Sequence, residues 1–135
     1  MRHGRVRWVA GMLCLGVLAA CSPSPSRVFS KMQQAARQGD RKAFASHFSE
    51  TSRPFAEALL ALYAAEYPKD GNRPDPLRQI TRGEVVGESV EGDRAEVRVR
   101  MEGAPERVLV FVREGRAWKL DVDATDRENQ GLPEE

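Results

Sequence analysis

Histidine and cysteine are scarce in this chain. Its 135 residues include two of each: His3 and His47, Cys14 and Cys21. A structural zinc site needs about four converging N or S ligands, so the composition argues against a transition metal, and no cofactor is expected. Two other chemical signatures are missing. No G-x-S-x-G elbow is present to expose a nucleophilic serine, and no glycine-rich loop to cradle phosphates. Charge of one sign is lacking as well. Twenty-one Lys and Arg face 20 Asp and Glu, without the basic excess that nucleic-acid binding requires. Finally, no apolar run is long enough to cross a bilayer. Trp8 to Ala20 is thirteen residues without a charge, against the roughly 20 that a span needs. Pro23 and Pro25 prevent that helix from continuing past Cys21.

The amino terminus does carry an address. Arg2, Arg5 and Arg7 form a basic start, the short apolar run follows, and small residues stand before Cys21. That order describes a secretory signal peptide. The run Leu18-Ala19-Ala20-Cys21 resembles a bacterial lipobox. The resemblance implies cleavage between Ala20 and Cys21, a diacylglycerol thioether on Cys21, and a fatty acyl chain such as palmitate on the new amino group. Ser22 rather than Asp follows the cysteine, which within that family points to the outer membrane, facing the periplasm. Each buried CH₂ contributes about 0.8 kcal/mol, so two or three chains hold a protein in place where one does not.

Residues 1–20 are therefore read as a signal peptide and 21–26, CSPSPS, as a lipidated tether. The folded domain is placed at 27–125 and a disordered polar tail at 126–135. Removing Arg2, Arg5 and Arg7 leaves 18 bases against 20 acids. One cysteine remains, and lipid occupies it, so no intrachain disulfide is available. About 100 ordered residues support a single core. At roughly 3 Å per residue, the tether would hold that domain about 15 Å from the lipid.

Within the domain the hydrophobic period changes once. Val28, Phe29, Met32, Ala35 and Ala36 share one face of a helix over Arg27–Gln38. Ser26 is expected to cap its start and Gly39 to end it. Asp40 caps a short second helix with Ala43, Phe44, His47 and Phe48 on one side. A third begins near Ser52, carries Pro54 in its first turn, and repeats Phe55, Leu59, Leu62, Tyr63 and Glu66 at helical spacing. Pro68 stops it, and Pro68–Pro76 is a loop by composition. The period then becomes two. Thr81–Val90 is expected to be a strand. Ala95, Val97, Val99 and Met101 alternate with charged residues in the next. Arg107–Arg113, apolar on both faces, belongs in the middle of the sheet. Trp118, Leu120 and Val122 alternate in a fourth. Helices followed by a meander predict an α+β fold: three N-terminal helices packed on a curved antiparallel sheet of about four strands.

The segments AARQGDRKAFASHFS, EGDRAEVRVRM and VLVFVREGRAWKLDVD are similar to elements of small nuclear-transport-factor-2-like (cystatin-like) domains. In these domains a helix, a Gly-Asp break and a second helix precede a curled sheet. The resemblance spans about Val28 to Asp123 and implies a cone whose mouth can hold a small molecule. It carries no catalytic residues over.

The candidate pocket-lining residues are His47, Tyr63, Glu66, Tyr67 and Trp118. His47 has a suitable pKa for general-base work, but its ordinary reading is a partly buried polar tip on a short helix. Tyr63 and Glu66 share a helix face at i, i+3, where core packing also accounts for them. Trp118 packs a strand or stacks on a ligand. Asp121 and Asp123 lie on one strand face, too few oxygens for Ca²⁺. No catalytic residue is assigned. The expected function is a membrane-anchored envelope lipoprotein with a non-enzymatic binding or assembly domain. Its partners would be the membrane, through Cys21, and an envelope protein or a small apolar ligand, with no nucleic acid. The alternative is a small cone-pocket enzyme of isomerase or dehydratase type.

Overall fold

In a computed structural model of the chain, residues 22–66 and 80–131 are described. The expected signal peptide with Ala20, Cys21, Tyr67 and the expected Pro68–Pro76 loop lie outside the described residues. The fold is α+β. Helices α1 (Pro25–Gln38), α2 (Arg41–Ser46) and α3 (Arg53–Glu66) precede strands β1 (Glu84–Glu91), β2 (Arg94–Arg100), β3 (Arg107–Glu114) and β4 (Ala117–Leu120). A last helix, α4 (Val122–Gln130), follows. The four strands form one antiparallel sheet in sequence order.

Helix α1 starts earlier than its composition suggests. Pro25 opens it and is buried, and Ser24 rather than Ser26 is the N-cap, accepting from Arg27 N–H. Pro fits the first turn because its missing N–H has no intrahelical partner there. Pro25 and Ser26 thus belong to the domain and not to the tether. Ser26 instead donates from both its backbone N–H and its hydroxyl to the Glu88 carboxylate on β1. The helix ends as expected at Gly39, whose φ of 68° is accessible at little cost only without a Cβ. Asp40 then caps α2 by accepting from Ala43 N–H at 3.0 Å.

The inner face of the sheet and α1 enclose the core. Val28, Phe29, Met32 and Ala35 of α1 are buried against Ala95, Val97 and Val99 of β2, Phe111 of β3, and Trp118 and Leu120 of β4. The register explains the grouping. Ala95 pairs with Phe111, Val97 with Leu109 and Phe111 with Leu120, so these side chains share one face. Gly83, just before β1, has no room for a side chain: a Cβ there would lie 2.7 Å from Val99 Cγ1. Gln33 is buried on α1 and donates to the carbonyls of Ile80 and Gly83, which ties the helix to the entry of β1.

Three expectations change. First, β1 begins at Glu84, because Ile80 and Thr81 are helical. Second, the inward residues of α3 are Ala56 and Leu60, whereas Phe55 and Leu62 are 56% and 54% exposed. The helix RPFAEALLALYAAE is apolar around most of its circumference, so its period cannot select the buried face. Third, the last strand stops at Leu120, and the polar tail expected to be disordered from Asp126 is helical to Gln130. Asp121 is the N-cap of α4 and accepts from Ala124 N–H at 2.9 Å. Asp121 and Asp123 therefore do not share a strand face.

The position of α4 follows from unequal strand lengths. β4 pairs only with Phe111–Glu114 and leaves the first half of β3 with a bare edge. Side chains of α4 take the place of the missing strand. Thr125 Oγ1 accepts from Val110 N–H at 2.9 Å. Asn129 Oδ1 accepts from Val108 N–H at 3.1 Å, while its Nδ2 donates to Val108 C=O at 2.8 Å. Thr125 and Asn129 are four apart, one turn of helix, so both reach the same edge. Asp121 N–H extends the pattern to Val110 C=O. On the other side of β4, a short parallel bridge joins Phe48 to Leu120, with Ser49 N–H donating to Leu120 C=O and Leu120 N–H to His47 C=O.

Candidate functional site

Helices α2 and α3 enclose a groove of about 560 Å³ with Lys119 of β4. Its lining is Arg41, Lys42, Ala45 and Ser46 from α2 and Arg53, Glu57, Leu60 and Ala61 from α3. The local sequence explains how two chemistries meet here. In α2, Phe44 and Ala45 turn inward, which leaves Arg41 and Lys42 exposed at its first turn. In α3, Arg53, Glu57, Leu60 and Ala61 fall at offsets 0, 4, 7 and 8, one helical face. Ala45 and Leu60 are buried and form an apolar floor. Among the described residues, four cations and one carboxylate surround it.

The cations differ in their surroundings. Lys119 Nζ donates to the carbonyl of Ser46 at 2.6 Å, closing the C-terminal end of α2, where a positive charge is favoured. Among the described residues, no salt bridge reaches Arg41, Lys42 or Arg53. Arg53 Nε is buried and has no hydrogen-bond partner. The groove therefore presents fixed positive charge beside apolar surface, an arrangement suited to holding an anion.

Of the residues expected to line a pocket, His47 and Trp118 do not line this groove. His47 follows Ser46 and is half-buried at the C-cap of α2. Its imidazole pKa is lowered from the ordinary value, first by burial and then by the nearby charges of Lys119 and Lys31, so it is neutral at pH 7. Trp118 is buried in the core, and the Arg113 guanidinium lies 4.5 Å from its ring centroid. Tyr63 and Glu66 occur near the C-terminal end of α3, while Tyr67 is outside the described residues. Arg53 and Glu57 were not legible as a site because each reads as a solvated helix charge, and Lys119 because it comes from β4, far along the chain. The one local signal was Arg41-Lys42, two adjacent bases directly after a helix cap. Among the described residues, no group of three or more His, Cys, Asp or Glu could hold a metal ion, and no helix is long and apolar enough to cross a membrane.

Comparison with family models, curated proteins and solved structures finds no match to the chain.

Proposed function

We propose that this chain is a membrane-anchored envelope lipoprotein whose single α+β domain serves binding or assembly rather than catalysis. The observation that carries the reading is where the domain begins. Ser24 caps α1, and Pro25 is already buried in it. A cut before Cys21, at the Leu18-Ala19-Ala20-Cys21 motif, would therefore leave every described element intact. It would also leave a tether of only Cys21 to Ser24. Cys21 would carry the lipid, and the domain would sit against the outer membrane on its periplasmic side.

The domain itself is read as nuclear-transport-factor-2-like, with a cystatin-like cone. Two features support this: the α1–Gly39-Asp40–α2 break before a four-stranded meander, and the irregularity between Val85 and Gly87 in β1, since bulges bend a sheet. The binding role is supported by the groove, whose lining consists mainly of cations and small apolar residues.

The test of the anchor is Cys21→Ala in the native host. The expected result is loss of the protein from detergent-extracted membranes, together with loss of the acylated N-terminal peptide in mass spectrometry. Retention of the variant in the membrane fraction would show that the anchor is not at Cys21. Affinity purification from solubilised envelope tests the assembly role through the partners recovered.

A further inference from the structure

Buried side-chain donors in folded proteins almost always have an acceptor, and a charged donor left unpaired is costlier than a neutral one. Arg53 Nε is the exception among the described residues. Arg53 lines the groove between α2 and α3, where, among the described residues, Arg41, Lys42, Arg53 and Lys119 face a single carboxylate, Glu57. Four positive charges against one leave a formal excess of three. A single carboxylate ligand would leave most of that charge uncompensated. A phosphate monoester, with up to two negative charges and several acceptor oxygens, matches it better. The rest of the lining is Ser46 and an apolar surface from Ala45, Leu60 and Ala61, with Ala45 and Leu60 buried at the base. That surface has nothing to offer a bare ion. The volume of about 560 Å³ falls within the roughly 300–1,000 Å³ of small-molecule sites.

We infer that this groove binds a single-chain anionic amphiphile: its phosphate head on Arg53 with Arg41 and Lys42, and its alkyl chain along Ala45, Leu60 and Ala61. The inference specifies a ligand class for the binding domain proposed above and does not depend on the lipid anchor.

The test is titration calorimetry on the purified full chain with dodecyl phosphate below its micellar concentration. Inorganic phosphate and dodecyl maltoside serve as head-only and tail-with-neutral-head probes. One dodecyl phosphate per chain is expected. Because hydrogen bonds to charged groups contribute about 1.5–3 kcal/mol, Arg53→Gln should weaken binding by about tenfold or more. Lys42→Glu, at an exposed position, should do the same without affecting folding, so it carries the test if Arg53→Gln melts early. Unchanged affinity in Lys42→Glu, or no saturable binding of dodecyl phosphate to the unmodified chain, overturns the inference. Equal affinity for dodecyl maltoside overturns the role of the cations, and equal affinity for inorganic phosphate overturns that of the apolar floor. Dodecyl phosphate binding in a Cys21→Ala chain that stays on membranes would refute the anchor and support the groove.

Discussion

The C-terminal helix yields the sharpest structural prediction, because its contacts take the place of a strand. The perturbation is the pair Thr125→Val and Asn129→Ala. Thr125→Val keeps the side-chain shape and removes the acceptor for Val110 N–H at 2.9 Å. Asn129→Ala removes both bonds to Val108, at 3.1 and 2.8 Å, and the bond from Nδ2 to Thr125 C=O at 2.7 Å. A net hydrogen bond in a folded protein contributes about 0.5–1.5 kcal/mol, and a buried group left unpaired costs more. Val110 is fully buried, so Thr125→Val should cost about 1–2 kcal/mol. Asn129 is exposed and water can replace part of its bonding, so about 1 kcal/mol is expected for Asn129→Ala. The double variant should lose about 2–3 kcal/mol, and at roughly 4–8 °C per kcal/mol the Tm falls by some 10–20 °C. Residue-resolved hydrogen exchange by NMR is the decisive assay. The amides of Val108 and Val110 should exchange faster, while those of Leu109 and Phe111, which alternate toward β2, should follow only the global change. Val108 and Val110 amides that exchange as in the unmodified chain would mean that α4 does not cover this edge, and the reasoning fails.

Three other outcomes are expected. Phe111→Ala removes a fully buried ring where β3 meets β2 and β4. A loss of about 3–5 kcal/mol is expected, read as a lowered midpoint in urea denaturation. Gly39→Ala meets no atom within 4 Å but must hold φ at 68°. A loss of about 1 kcal/mol is expected, with Gly39→Asn costing less because Asn tolerates this region. For His47 the folded-state pKa lies below its unfolded value of about 6.5. Between the two values the unfolded chain binds more protons, so stability rises with pH across that window. Its contribution is unfavourable below the folded pKa and vanishes above the unfolded one. His47→Gln should therefore flatten the stability profile measured by denaturation between pH 7.5 and 5, and an identical slope in both proteins would refute this.

The elements legible in the sequence were those whose signals are local. The Gly39 break, the Asp40 cap, the alternation of Ala95, Val97 and Val99, and the apolar Val108–Val112 run each depend on a few neighbouring residues. Local backbone chemistry acts the same way in a peptide and in a domain. Helix α3 was legible in extent but not in orientation, because apolar residues surround it and only packing against α2 and the core selects Ala56 and Leu60. The groove was not legible at all. Arg41 and Arg53 lie on successive helices while Lys119 comes from β4, far along the chain, and each alone reads as a solvated surface charge.

The sequence by itself thus determined the α+β order and the number and sequence of the strands, since periodicity and capping are encoded within a few residues. Only the tertiary structure decided that DATDRENQ is a helix with a task rather than a loose end. Its polar residues have no core to bury and no strong propensity to express. They become ordered because β4 is shorter than β3, and the carbonyl and N–H groups of Val108 and Val110 need partners that Thr125 and Asn129 supply.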